Sequence, residues 1–201
     1  MRYLSLFSGI GGFELGIQQA YENLDNRRAT STSKLGIHRN KSDINTSDGD
    51  GWGTDSVCVG YSEINKYAIQ IYEKHFPKHK NYGDITRINA EELPDFDLLV
   101  GGFPCQAFSI AGKRLGFNDT RGTLFFDIAR ILKAKQPKYC ILENVKRLLS
   151  HDNGRTFKTI ISTLDELRYD IQWQVLNSKN HGVPQNRERV FIVGHIRGDP
   201  R

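Results

Sequence analysis

Residue types that can do chemistry fall in short clusters along this 201-residue chain. Phe7-Ser8-Gly9-Ile10-Gly11-Gly12 is a glycine-rich turn, where a backbone without Cβ atoms lets a ligand come close. Its spacing fails the G-x-G-x-x-G dinucleotide pattern at Glu14, and no Gly-Lys-Ser/Thr follows, so a pyrophosphate fingerprint and a P-loop are both excluded. Glu63 follows a strand, where a carboxylate can accept from both hydroxyls of a ribose, and Asp84 is another acid beside a glycine. Cys105, in Phe103-Pro104-Cys105-Gln106, is a candidate thiolate nucleophile. Glu143-Asn144-Val145 offers a carboxyl group that apolar surroundings can keep protonated, and so able to act as an acid. In Gln185-Asn186-Arg187-Glu188-Arg189, alternation puts Gln185, Arg187 and Arg189 on one side, and two guanidinium groups suit phosphate or carbonyl recognition. Each cluster by itself also has an ordinary reading: a structural turn, a helix-end charge, a cap, a buried thiol, a solvated charge group.

The elements that must hold these residues alternate. Short apolar runs predict strands over residues 3–7, 57–62, 98–101, 139–143, 171–176 and 190–194. Helical spacing predicts helices over 12–21, 66–75, 124–135 and 156–167; in the third, Leu124, Phe125, Ile128, Ile131 and Leu132 share one side. Strand–helix alternation predicts an α/β fold, a doubly wound and mainly parallel sheet covered on both faces. Ligands of such sheets bind beyond the carboxyl ends of the strands, where these clusters fall. A glycine turn, Glu63 and Asp84 at successive strand ends, without a phosphate loop, point to an adenosine ligand that lacks a pyrophosphate. S-adenosyl-L-methionine fits that description.

Composition bounds the rest. Lys and Arg number 28 against 23 Asp and Glu, a net charge of +5 that permits a polyanionic partner without requiring one. The length suits one domain with a real core. Mean hydropathy is −0.52, and no apolar run approaches a membrane span. The N-terminal Met1-Arg2-Tyr3-Leu4-Ser5-Leu6-Phe7 runs into glycines without the apolar core and cleavage site of a secretory signal. Three widely spaced cysteines, Cys58, Cys105 and Cys140, exclude a disulfide scaffold and a C-x-x-C metal or redox site, and no metal is expected. A reducing interior suits them. Residues 23–56 stand apart: their only apolar members are Leu24, Ala29, Leu35, Ile37, Ile44 and Trp52, and their acidic and basic residues cancel. Such a segment cannot offset its ordering entropy, which predicts a disordered insertion.

Taken in order, residues 7–12, Glu63, Asp84, Pro104-Cys105, Glu143-Asn144-Val145 and 185–189 resemble the C5-cytosine DNA methyltransferases. Phe103-Pro104-Cys105-Gln106-Ala107-Phe108-Ser109 and Arg121-Gly122-Thr123-Leu124-Phe125-Phe126 look like the bacterial modification methylases of restriction-modification systems. The resemblance covers nearly all of the chain outside 23–56. It implies a Rossmann-like S-adenosylmethionine-dependent methyltransferase fold, a cytoplasmic, nucleoid-associated bacterial enzyme, and transfer of a methyl group to C5 of cytosine in duplex DNA. The cofactor's methionine end would then meet Phe7 and the Gly9, Ile10, Gly11 and Gly12 backbone. Glu63 would take the ribose, Ile64 one adenine face and Asp84 the adenine amino group. Ile85, Pro104 and Leu124 are assigned to the same pocket.

For the reaction, the resemblance implies that the Cys105 thiolate attacks C6 of the base, giving an enamine reactive at C5. Glu143 would hydrogen bond or protonate N3, Asn144 would hold its loop, and Arg189 would polarise the O2 carbonyl with Arg187 on the DNA side. The cytosine must be flipped out of the duplex to be reached. Residues 109–121, with Gly112, Lys113 and Arg114, resemble the family's mobile catalytic loop. Family enzymes continue into a target-recognition domain and a C-terminal motif that closes the cofactor pocket. Residues 1–201 are therefore expected to be a C-terminally incomplete catalytic domain, a fragment or one subunit of a split enzyme with a second subunit as partner. A tRNA-directed relative and an inert DNA-binding or regulatory remnant are the alternative readings.

Overall fold

Apolar residues on both faces of short strands demand cover on both sides, and the chain supplies it. The computed structural model describes residues 1–34, 56–104 and 124–198. Strands β1 (Arg2–Leu6), β2 (Val57–Ser62), β3 (Leu98–Gly102), β4 (Tyr139–Val145), β5 (Tyr169–Asn177) and β6 (Glu188–Ile196) form one sheet in the order β2-β1-β3-β4-β6-β5. Pairings β1–β2, β1–β3 and β3–β4 are parallel, whereas β6 runs antiparallel to both β4 and β5. The sheet is thus mainly parallel, with β6 reversed.

Among the described residues four α-helices cover it: α1 (Gly12–Lys34), α2 (Lys66–His75), α3 (Leu124–Lys135) and α4 (Arg155–Glu166). Leu4, Leu6, Leu99, Cys140 and Leu142 face the main core, where α3 contributes Phe125, Ile128, Ile131 and Leu132 and α4 contributes Ile160 and Leu164. Fully burying a side chain of this size stabilises the fold by roughly 1.5–3 kcal/mol. On the other face Tyr3, Leu98 and Val100 pack against Phe13 and Ile17 of α1, and Tyr72 of α2 stacks on Tyr61 with ring centroids 3.9 Å apart. Asn65 caps α2, accepting from the backbone N–H of Tyr67 and Ala68.

The elements depart from the sequence reading in two ways. Disorder was expected from residue 23, yet α1 continues to Lys34. No Gly or Pro lies between Ile17 and Lys34, so a helix nucleated by its packed first turns propagates at little cost per residue even without an apolar face. Residues 35–55 of that insertion lie outside the described residues, as does the loop at 109–121. The second departure is length: β4 extends to Val145, and β5 and β6 each run nine residues, because cross-strand pairing carries both beyond their apolar centres.

Gly194 in β6 marks a tight approach between β4, β5 and β6 in this core. A Cβ there would meet Cys140 Sγ at 2.7 Å, with Ile171 and Tyr169 carbons at 3.2 Å. Gly194→Val is expected to destabilise the protein by about 1–3 kcal/mol through overpacking. Urea unfolding followed by circular dichroism checks it, and an unchanged midpoint would contradict the packing described.

Candidate functional site

Parallel strands end on one edge of the sheet, and the register aligns those ends. Leu6 is level with Ser62 of β2 and with Gly101 of β3, and Gly102 is level with Glu143 of β4. Reversal of β6 brings its first residues to the same edge, with Arg189 opposite Val145. Residues 7–12, Glu63, Gly102–Pro104, Glu143–Val145 and Arg189 therefore converge on one side of the sheet.

At the β1 and β2 ends the chain builds a tight double turn. Phe7 has a positive φ of 54°, Gly9 follows at 56° and Gly11 at 95°. A non-glycine residue in the left-handed region is a strained conformation that its surroundings must hold, and such residues cluster at ligand sites. Gly11 cannot carry a side chain, because a Cβ would lie 2.6 Å from the Phe76 ring. The Glu63 carboxylate anchors the turn: Oε2 accepts from Gly9 N–H at 2.9 Å, and Oε1 from Ile64 and Asn65 N–H, both at 2.8 Å. Ser8 N–H donates to the Ser62 carbonyl, and Ser62 Oγ donates to the Gly83 carbonyl at 2.6 Å. Space is open at Gly9, Gly12 and Gly83: among the described residues, chain neighbours aside, a Cβ there would meet no atom within 4 Å. Ile64 and Ile10 leave apolar side chains 72% and 60% exposed beside this space.

Asp84 caps the following 3-10 turn, its Oδ1 accepting from Thr86 N–H at 3.0 Å and Thr86 Oγ1 at 2.8 Å. These bonds hold its carboxyl below the usual range, so it is ionised near neutrality. Ile85 is placed otherwise than a pocket side chain would be: it is buried in the main core, and its carbonyl accepts from Arg130 at 2.9 Å. Leu124 and Phe7 are partly buried against the same core, and Pro104 is exposed.

At the β4 end Glu143 pairs with Arg189, Nε to Oε1 at 2.7 Å, both side chains about four-fifths covered. Burial pushes the Glu143 carboxyl up, while the Arg189 and Arg187 charges pull it down, and the net shift is upward. Gly102 clears room for it, since a Cβ there would sit 3.1 Å from Glu143 Oε2. Asn144 is buried and ties two strand ends: Nδ2 donates to the Phe103 carbonyl at 2.9 Å, and Oδ1 accepts from Val145 N–H at 2.8 Å. This fixes the backbone that leads directly into Pro104 and Cys105. Phe103 is itself buried against Phe125. Cys105 lies outside the described residues. Arg187 is exposed, its N–H bound to Asn177 Oδ1 at 3.1 Å, and Lys146 clasps Glu188 with bonds of 2.9 and 3.0 Å.

The sequence reading missed Asn81. Its Oδ1 accepts from Gly83 N–H at 2.8 Å and its Nδ2 donates to the Glu63 carbonyl at 3.2 Å, joining the Glu63 and Asp84 turns. An Asn two residues before a glycine was the available signal. Among the described residues no group of three or more His, Cys, Asp or Glu is placed to hold a metal, and no helix is long and apolar enough to cross a membrane.

The model of the C-5 cytosine-specific DNA methylase family matches residues 1–200. The type II methyltransferase M.NlaIV of Neisseria lactamica is 44% identical over 207 residues, covering 100% of this chain and 42% of its own length. M1.ScrFI of Lactococcus lactis subsp. cremoris, also a type II methyltransferase, is 48% identical over 192 residues, covering 95% of this chain and 46% of itself. The chain thus spans less than half the length of these curated relatives. Among solved structures, a Spodoptera frugiperda DNMT2 mutant matches with a TM-score of 0.67 at 23% identity, covering 99% of this chain and 51% of that one.

Proposed function

The chain belongs to the C-5 cytosine-specific DNA methylase family, and from that premise we propose that it carries the catalytic centre of a DNA cytosine-5 methyltransferase of a restriction-modification system. The substrate is a cytosine flipped out of duplex DNA, and the methyl donor is S-adenosyl-L-methionine. The observation that carries the reading is the Glu143–Arg189 pair at 2.7 Å, set at the strand edge where Asn144 holds the backbone leading to Cys105.

The residues around the glycine turn fit an adenosine ligand of this kind. Glu63 Oε2 has one backbone partner and keeps acceptor capacity for a ribose hydroxyl. Asp84 Oδ1 is engaged by Thr86, which leaves Oδ2 for an adenine amino group. Exposed Ile64 offers an apolar surface for one face of the ring, and the space above Gly9 and Gly12 accepts the methionine end. When bound, the cofactor supplies an electrophilic methyl group on a sulfonium. Glu63→Ala is expected to weaken binding of S-adenosyl-L-homocysteine by roughly 10- to 100-fold, because three N–H groups and the ribose lose a charged acceptor. Isothermal titration measures it, and unchanged affinity would remove Glu63 from the site.

The protein's own groups then perform the base chemistry. Cys105 sulfur adds to C6, which moves the ring's electron pair toward N3 and O2. Glu143 meets N3, and Arg189 meets O2. Loss of the C5 proton after methylation expels the Cys105 sulfur and restores the aromatic ring. Arg187, exposed at the rim, faces the DNA backbone. A cytoplasmic, nucleoid-associated place follows from that substrate. Target reading belongs to the part of the relatives' length that this chain does not span, supplied by a continuation or by a second subunit.

The test is tritiated methyl transfer from S-adenosylmethionine, with the chain alone and with a polypeptide carrying a recognition region. Transfer with the partner, yielding 5-methylcytosine, is expected, with little or none from the chain alone. Label on tRNA instead of DNA, or no transfer in either form, would overturn the proposal.

A further inference from the structure

Behind the glycine turn lies a buried carboxyl group that the reaction above does not use. Glu14, in the first turn of α1, is 1% exposed, its Oε1 accepting from the Tyr72 hydroxyl at 3.0 Å. Tyr72 in turn meets His79 Nδ1 at 3.0 Å. Glu14 Oε2 and the neighbouring Ser5 Oγ are both buried and, among the described residues, lack a hydrogen-bond partner. A bare carboxylate oxygen left this way is costly, whereas a protonated one becomes a donor beside an acceptor. The groups facing Glu14 come from every packed element: Ser5 and Tyr3 from β1, Cys58 from β2, Tyr72 from α2, and His79 beyond it through Tyr72. Burial lowers His79 and raises Tyr3, Cys58 and Tyr72, so these neighbours are neutral near pH 7 and offer no counter-ion. Burial likewise pushes the Glu14 carboxyl upward.

The same side chains underlie the turn. Phe76 and Tyr72 lie 2.6 and 3.4 Å from where a Cβ of Gly11 would stand. We propose that Glu14 is a positioning residue for the cofactor turn: as a neutral carboxylic acid it bridges Ser5 of β1 and Tyr72 of α2, and so holds residues 7–12 in their ligand-accepting conformation. This rests on the reading of that turn as the cofactor's cradle. The sign follows from the proton. A carboxyl raised in the folded protein binds its proton more tightly there, so its contribution is complete below the ordinary carboxyl range near 4.5 and is lost as pH rises through the raised value.

Two measurements on the full chain test it. Infrared difference spectra between wild type and Glu14→Gln should show, at neutral pH, the carbonyl band of a protonated acid that the variant lacks. Titration with S-adenosyl-L-homocysteine across the pH range in which the protein stays folded should show wild-type affinity falling severalfold as the acid ionises. Glu14→Gln, a permanently neutral mimic, should bind with a flat profile. Glu14→Leu should lose about tenfold at every pH, because Tyr72 and Ser5 lose their partner. No acid band, or the same pH profile in wild type and Glu14→Gln, would overturn the role of Glu14 alone. No binding by wild type at any pH would overturn the cradle reading, and the role of Glu14 with it. Should Glu14→Leu fail to fold, the Glu14→Gln profile and the band still decide.

Discussion

Cys105→Ala abolishes methyl transfer to the assay background, and duplex DNA carrying 5-fluorocytosine at the target traps the wild-type protein through Cys105. The first half of that expectation comes from elimination. The chain has three cysteines. Cys58 is partly covered in β2, and burial pushes its thiol up to about 11. Cys140 is buried in β4 against Gly194 and pushed up to about 12. At pH 7 a thiol near 11 is thiolate in roughly one molecule in 10⁴, too little for a nucleophile, and burial denies a base access to the Cys140 sulfur. Cys105 follows exposed Pro104 at the strand edge that holds Glu143 and Arg189. The second half follows from atom balance. Sulfur adds at C6, the methyl group arrives at C5, and release requires a proton to leave C5. Fluorine at C5 cannot leave as a cation, so the sulfur stays bound. Peptide mapping of the adduct, made with the recognition region supplied, checks the assignment. An adduct on Cys58 or Cys140 would contradict it, as would full activity of Cys105→Ala.

How much of this was legible beforehand depended on the range of the interaction. Strands β1, β3 and β4 carry short apolar runs, and β1 leads into the glycine turn at 9–12, β3 into Gly102 and β4 into Glu143-Asn144-Val145, so the neighbourhood of the site could be read from local pattern even where the last paired residue could not. The helix at 124–135 was equally plain, because Phe125, Ile128, Ile131 and Leu132 repeat at helical spacing. Reversal of β6 was not legible. Nothing in 188–196 encodes strand direction, and the proximity of Arg189 to Glu143 depends on it. Glu14 and Asn81 were illegible as site supports for a related reason. Each is a single polar residue whose partner is remote, Tyr72 at 58 positions from Glu14 and Glu63 at 18 from Asn81. The helix extension to Lys34 shows the converse limit. Composition there argues against a core, and the chain satisfies its backbone without one.

Glu143→Gln lowers kcat by about 10²- to 10⁴-fold, the range that a positioned acid contributes. The Glu143 site is built for a carboxyl group that changes protonation cheaply. Its burial favours the neutral form, the Arg189 and Arg187 charges favour the anion, and the balance leaves it above an ordinary glutamic acid. Such a group can hold a proton for N3 as Cys105 sulfur adds, with Arg189 stabilising the charge left behind. In wild type the protonated fraction falls as pH rises through the raised value, so the kcat profile has a descending alkaline limb; the amide of Glu143→Gln cannot ionise there, so this limb disappears with most of the rate. Arg187→Ala separates the electrostatics from contact with the base. It removes a charge that pulls Glu143 down while leaving the 2.7 Å Arg189 pair in place, so the limb should move to higher pH. Single-turnover rates across the pH range, with the recognition region supplied, decide between roles. A limb that stays put in Arg187→Ala would mean that another group titrates. A wild-type limb that persists in Glu143→Gln would mean that Glu143 orients the base without giving it a proton.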